Sequence, residues 1–174
     1  MTLRSTLLIA LLLASGWANA ALTPLEQAQN LWLAGHRDEA VAEVTAALKL
    51  APEDLKLRFA LGVYRMEMKD MPAALGIFTS LTQDFPDLPD PYNNLAVIHA
   101  GQGELEQARG ELEQALRLQP DHAQAQENLG DVMLRLALRA YQRAEKAQIA
   151  PSDNLALKLR QTQALVQKFT PSTK

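Results

Sequence analysis

The chain contains no cysteine. That absence excludes a lipid-modified N-terminal cysteine, a disulfide framework and a thiolate metal site together. Charge of one sign is scarce too: Lys and Arg are scattered among Glu and Asp, and the net charge is −3 over 174 residues. Phosphate binding needs a basic stripe, so no nucleic-acid partner is expected. No like-charge run or low-complexity segment occurs, and only residues 170–174 read as a disordered tail. No Gly-rich phosphate loop follows a strand pattern, and no Ser, His and Asp stand in a recognisable catalytic motif. Glu111 and Glu113 lie two residues apart, on different faces of a helix, and cannot share one substrate. His36, His99 and His122 fall at three different repeat positions, and no second histidine stands three or four residues from any of them, which speaks against a metal site. Neither catalysis nor a cofactor is therefore expected.

Long apolar runs are also missing. The longest, residues 7–14, follows a short polar start carrying Arg4 and precedes the small-x-small sequence Ala18, Asn19, Ala20. This is the layout of a secretory signal at residues 1–20, cleaved after Ala20, and it predicts a periplasmic protein. Retention as a membrane anchor is the alternative, but a spanning helix needs about 20 apolar residues. Without disulfides, the exported chain must hold together by packing alone.

What is present is a register. Ala28, Gly62, Ala96 and Gly130 stand 34 residues apart, and so do Ala40, Ala74 and Ala108, then Val44, Phe78 and Leu112, then Pro52, Pro86 and Pro120. Self-similarity at this period marks a helical repeat array, and an ordinary bundle needs no such fixed step. Each block holds two helical patterns, a turn signal between them and a closing proline. Residues 89–122 show this most plainly. Tyr92, Leu95, Ala96 and His99 make the first helix, Gly101 and Gly103 break it, and Leu105, Ala108, Leu112, Ala115 and Leu116 make the second, which Pro120 stops.

These columns resemble the tetratricopeptide repeat. With blocks counted from residues 21, 55, 89 and 123, positions 7 and 8 hold Leu61-Gly62, Leu95-Ala96 and Leu129-Gly130. Positions 20, 24 and 27 hold Ala40, Val44 and Ala47, then Ala74, Phe78 and Leu81, then Ala108, Leu112 and Ala115. The match is weaker elsewhere: Tyr92 alone supplies the bulky residue at position 4, and Leu31, Arg65, His99 and Met133 stand where the family has an aromatic. The resemblance implies an all-α fold, a right-handed superhelix of stacked helical hairpins with a C-terminal capping helix. Small residues at position 8 would let two helices approach closely.

The repeats are expected at residues 21–54, 55–88 and 89–122, followed by a modified repeat at 123–151. Pro120 and Pro151 are only 31 residues apart, and between Asp131 and Ala150 there is no Gly, Pro, Asn or Asp. Leu129, Met133, Leu136, Ala140, Ala144 and Ala147 form one unbroken apolar stripe instead. One long helix over residues 123–148 is predicted, about 40 Å in length. Residues 152–169 then form the capping helix, with Asp153 as its N-cap, Leu155, Leu159, Val166 and Phe169 inside, and Lys158, Gln161 and Lys168 facing water.

The family resemblance implies that positions 2, 5, 9 and 12 of each repeat line the inside of the superhelix. The residues picked out as a partner-binding groove are Trp32, Phe59, Val63, Met66, Asp90, Asn93, Val97, Glu127 and Asp131. The early part is apolar and the late part acidic, so a hydrophobic contact would sit near Trp32 and Met66, with Glu127 and Asp131 favouring a basic stretch. Trp32 and Phe59 could equally pack against the neighbouring repeat, and Asn93 could hold an extended backbone. The family's clamp for a C-terminal carboxylate needs Lys and Asn where Phe59 and Val63 stand, and Lys and Arg where Gln124 and Asn128 stand; only Asn94 fits its pattern. The function expected is a non-catalytic scaffold or adaptor in the cell envelope, binding a peptide or helix of a partner protein. Self-association is one alternative. A recognition role beside a peptidoglycan-acting or secretion enzyme is the other.

Overall fold

The computed structural model describes residues 22–147 and 152–169. The expected signal and its cleavage point, the end of the long helix at Gln148, and the tail at 170–174 lie outside the described residues. Eight helices and no strand occur among those described: α1 Pro24–Leu33, α2 Arg37–Leu50, α3 Leu55–Glu67, α4 Met71–Asp84, α5 Pro89–Gln102, α6 Leu105–Leu118, α7 Ala123–Ala147 and α8 Asp153–Phe169. The fold is an all-α tetratricopeptide-type superhelix, in which α1–α2, α3–α4 and α5–α6 are hairpins and each pair packs on the next. No helix among the described residues is long and apolar enough to cross a membrane.

Side-chain chemistry sets the helix ends. Thr23 and Glu26 close a reciprocal capping box, with the Glu26 amide donating to Thr23 Oγ1 at 3.2 Å and the Thr23 amide donating to the Glu26 carboxylate at 2.8 Å. Asp54 and Asp70 accept from the first turns of α3 and α4. Ahead of α8 the cap is Ser152, whose Oγ accepts from the Leu155 amide at 3.2 Å, and Asp153 is the first helical residue. The expected N-cap is thus displaced by one position, because the serine hydroxyl already serves the free amide.

The hairpin turns share a feature that spans the array. Gly35, Lys69 and Gly103 stand 34 residues apart and all have left-handed backbone, at φ 85°, 66° and 85°. Gly101, expected to help break the third hairpin, lies inside α5; Gly103 alone ends it. The next position in that column is Ala137, in the middle of α7. There the left-handed turn is missing, and residues 123–147 run as one helix about 37 Å long.

The repeating columns form the core. Ala40, Ala74 and Ala108 are fully buried, as are Val44, Phe78 and Leu112. Ala28, Gly62 and Ala96 are buried beside them, and a Cβ built on Gly62 would lie 2.9 Å from the Phe78 ring. Gly130 departs from the column. It is exposed, with nothing within 4 Å of a Cβ there. The apolar stripe of α7 is also shifted from the expected one. Ala125, Leu129, Val132 and Leu136 pack against Ala108, Leu112 and Ala115 of α6, whereas Met133 and Ala140 are exposed. Helix α8 returns along α7, with Leu159 and Thr162 buried and Leu155 and Val166 half-buried. Lys158, Gln161 and Lys168 are on its exposed side. The Phe169 side chain is outside the described set.

Candidate partner-binding groove

Among the described residues, the first helices of successive hairpins leave a wall that no other helix covers. Between α1, α3 and the start of α5 it encloses a cavity of about 610 Å³. Leu25, Trp32 and Leu33 of α1, Leu55, Phe59 and Val63 of α3, and Pro91 of α5 give it an apolar lining, with Gln29, Lys56, Glu67 and Asp90 as its polar members. Leu33 is 84% exposed and extends this apolar surface at its α1 edge.

The aromatic residues serve the array and the cavity at once. Trp32 stacks on Tyr64 of the next hairpin, with ring centroids 4.2 Å apart and planes within 7°, and the Arg37 guanidinium lies 5.2 Å from the Trp32 centroid. Burial pushes the Tyr64 hydroxyl pKa upward, and the Glu67 carboxylate adds to the effect, so the phenol stays neutral. Phe59 meets the Phe78 ring edge-on at 5.6 Å. Trp32 and Tyr64 thus meet between two hairpins, Phe59 packs on Phe78 within one, and Trp32, Tyr64 and Phe59 also line the cavity.

Of the residues chosen from the sequence, Trp32, Phe59, Val63 and Asp90 line this cavity. Met66 does not; it is drawn into the core of the second hairpin with Phe78 and Leu81. Val97 is exposed on α5, and Glu127 and Asp131 are exposed on α7, outside the cavity. Asp90 is not a free carboxylate, because His122 Nε2 bonds its Oδ1 at 3.0 Å while His122 Nδ1 accepts from the Ala125 amide at 3.2 Å. That pairing ties α5 to the start of α7. Asn93 is only 7% exposed, and its Oδ1 accepts from Asn128 Nδ2 at 2.8 Å. Half of its amide is therefore already committed to the array. Asn94 donates to the Asp90 carbonyl of its own helix at 2.9 Å, so it too has a local duty.

Leu33, Leu55, Tyr64 and Leu88 belong to the wall but fall outside the inward positions. Apolar character at the ends of first helices was their only sequence signal. His99, the buried histidine of α5, forms an internal network: its Nδ1 bonds Glu111 Oε2 at 2.9 Å and its Nε2 faces the Gln107 amide at 3.1 Å. Burial raises the Glu111 pKa, and the hydrogen bond from His99 works against that rise. Among the described residues no three His, Asp or Glu side chains gather to hold a metal ion.

Comparison with known proteins accounts for this geometry. No curated protein matches the chain. Among solved structures, the first TPR of Spaghetti (RPAP3) bound to HSP90 peptide SRMEEVD is similar at TM-score 0.61 and 19% identity, over 66% of this chain and 90% of that one. MamA from Desulfovibrio magneticus RS-1 is similar at TM-score 0.59 and 18% identity, over 86% of this chain and 76% of its own. YrrB, described as a TPR protein with an unusual peptide-binding site, is similar at TM-score 0.56 and 25% identity, over 60% of this chain and 54% of its own. Two family patterns, each described as a tetratricopeptide repeat, match residues 25–89 and 65–131. With these two patterns together spanning residues 25–131 and the helical hairpins stacked one on the next, the chain belongs to the tetratricopeptide repeat family.

Proposed function

We propose that this chain is a non-catalytic protein-interaction module of the cell envelope, exported by residues 1–20 and holding a segment of another envelope protein against its inner wall. The observation that carries this reading is the uncovered apolar cavity of about 610 Å³ bounded by Trp32, Phe59 and Val63. Burying an aliphatic or aromatic side chain there would contribute about 1.5–3 kcal/mol, enough to anchor a peptide when backbone hydrogen bonds add to it. Peptide-bound relatives such as RPAP3 with SRMEEVD support the same mode of use.

The chain has two tryptophans, Trp17 and Trp32, and removal of the signal leaves only Trp32. Its emission therefore reports on the groove alone. Titration with a true partner segment should shift that emission, and Leu33→Ser should weaken the binding. A partner that binds with unchanged emission and no loss in Leu33→Ser would refute the assignment of the groove. N-terminal sequencing of the protein from a periplasmic fraction tests the location, and Ala21 is the expected first residue.

A further inference from the structure

The wall changes character along the array. Its α1–α3 part is apolar, while α7 presents Glu127 and Asp131, both exposed and, among the described residues, neither in an ion pair. They are four residues apart and share one face of α7. Asn93 stands between the two parts. It lies one turn after Asp90 of the cavity wall, and its bond to Asn128 brings it beside the α7 turn that holds Glu127 and Asp131. Although Asn93 is only 7% exposed, among the described residues no acceptor meets its Nδ2. This donor is not sealed away from solvent, so a passing backbone carbonyl can accept from it in place of water.

The cations near this surface do not cancel its acidity. Lys56 lies at the α3 start of the cavity, and Arg37 sits over Trp32, both at the apolar end. On α7 itself Arg135 is half-buried and makes no ion pair with Asp131, one turn before it. Two exposed, unpaired carboxylates repel each other, and a partner cation placed between them relieves that repulsion.

We propose that the occupant of the groove is a bipartite internal segment: an apolar side chain seated against Trp32 and Phe59, a backbone carbonyl on Asn93 Nδ2, and Lys or Arg over Glu127 and Asp131. This rests on the groove reading above and adds the polarity of the partner to it. The probes are three fluorescein-labelled synthetic peptides with the same Leu-x-x-Phe anchor and a flank of three Lys, three Ser or three Glu. Their anisotropy is followed with the full chain at about 50 mM and about 500 mM NaCl. The lysine peptide should bind at least about tenfold more tightly than the glutamate peptide at low salt, and the gap should narrow at high salt. The double variant Glu127→Gln, Asp131→Asn should lose the lysine preference and keep the affinity for the serine peptide. Equal binding of all three peptides, or a lysine preference that survives the double variant, overturns this inference. If Leu33→Ser still weakens every peptide in that case, the groove reading itself stands. Failure of all three peptides to bind, or binding indifferent to both Leu33→Ser and Trp32→Ala, overturns the groove reading and this inference with it.

Discussion

Alanine at Gly62 and alanine at Gly130 are the same substitution at the same repeat position, and the structure gives them different outcomes. Both glycines are helical, so each replacement gains about 1 kcal/mol of helix propensity. At Gly62 the new methyl would sit 2.9 Å from Cε1 and Cζ of Phe78 and 3.2 Å from Ile77 Cγ2. Phe78 is fully buried and its ring is held edge-on by Phe59, so it has little room to withdraw. Overpacking of this kind costs about 1–3 kcal/mol, which leaves Gly62→Ala neutral to about 2 kcal/mol destabilised. At Gly130 the methyl meets nothing within 4 Å, and the propensity gain is kept whole. The two variants should therefore differ by about 1–3 kcal/mol. For a chain of this size that is a gap of roughly 2–12 °C in Tm. Thermal melts followed by circular dichroism at 222 nm measure it directly. A Gly62→Ala protein as stable as Gly130→Ala would show that α3 and α4 do not cross closely at this point.

Four further outcomes follow from the same packing. Ala74→Asp places an unpaired charge at a fully buried helix crossing and should cost several kcal/mol, read as a large fall in the urea midpoint; a midpoint equal to the parent's refutes the position. Lys69→Gly should stabilise by about 1 kcal/mol, because it removes a side chain from left-handed backbone at φ 66°, whereas a loss of stability would mean that the turn is not left-handed. Ser152→Ala should cost about 1 kcal/mol and Asp153→Ala less, and the reverse order would restore Asp153 as the cap of α8. Two carboxylates predict opposite pH slopes. Burial holds the Glu111 pKa above the ordinary glutamate value, so its contribution is most favourable below that value and declines as pH rises through the raised one. The Arg58 hydrogen bond holds Asp84 below the ordinary aspartate value, so its contribution is present above that value and is lost as pH falls through the lowered one. Melts between about pH 2 and 7 should show Glu111→Gln flattening the upper window and Asp84→Asn the lower one, and variant curves parallel to the parent's would refute both.

Much of the architecture is legible without coordinates because each buried column is a one-residue decision repeated at a fixed step. Ala40, Ala74 and Ala108 must be small wherever two helices cross, and Val44, Phe78 and Leu112 must be apolar wherever a second helix faces its own hairpin. The long α7 follows by the same logic, from a stretch with no residue that ends a helix. The groove is less legible. Trp32, Phe59 and Val63 stand at inward positions that the family resemblance implies, but Tyr64 joins them only because its ring meets Trp32 across two hairpins. Met66 carries the same inward position number as Trp32 and yet turns into the core.

What the sequence by itself determined is the set of local preferences: where helices start and stop, which face of each is apolar, and the 34-residue step that stacks them. Tertiary structure alone decided which apolar residues stay uncovered and which polar groups are already taken, as Asp90 is by His122 and Asn93 Oδ1 by Asn128. It also decided that Gly130 has open space where Gly62 has Phe78. The physical reason is range. Helix propensity and capping act over three or four residues, whereas burial and hydrogen-bond satisfaction depend on neighbours some 30 residues away, whose positions exist only once the hairpins have stacked.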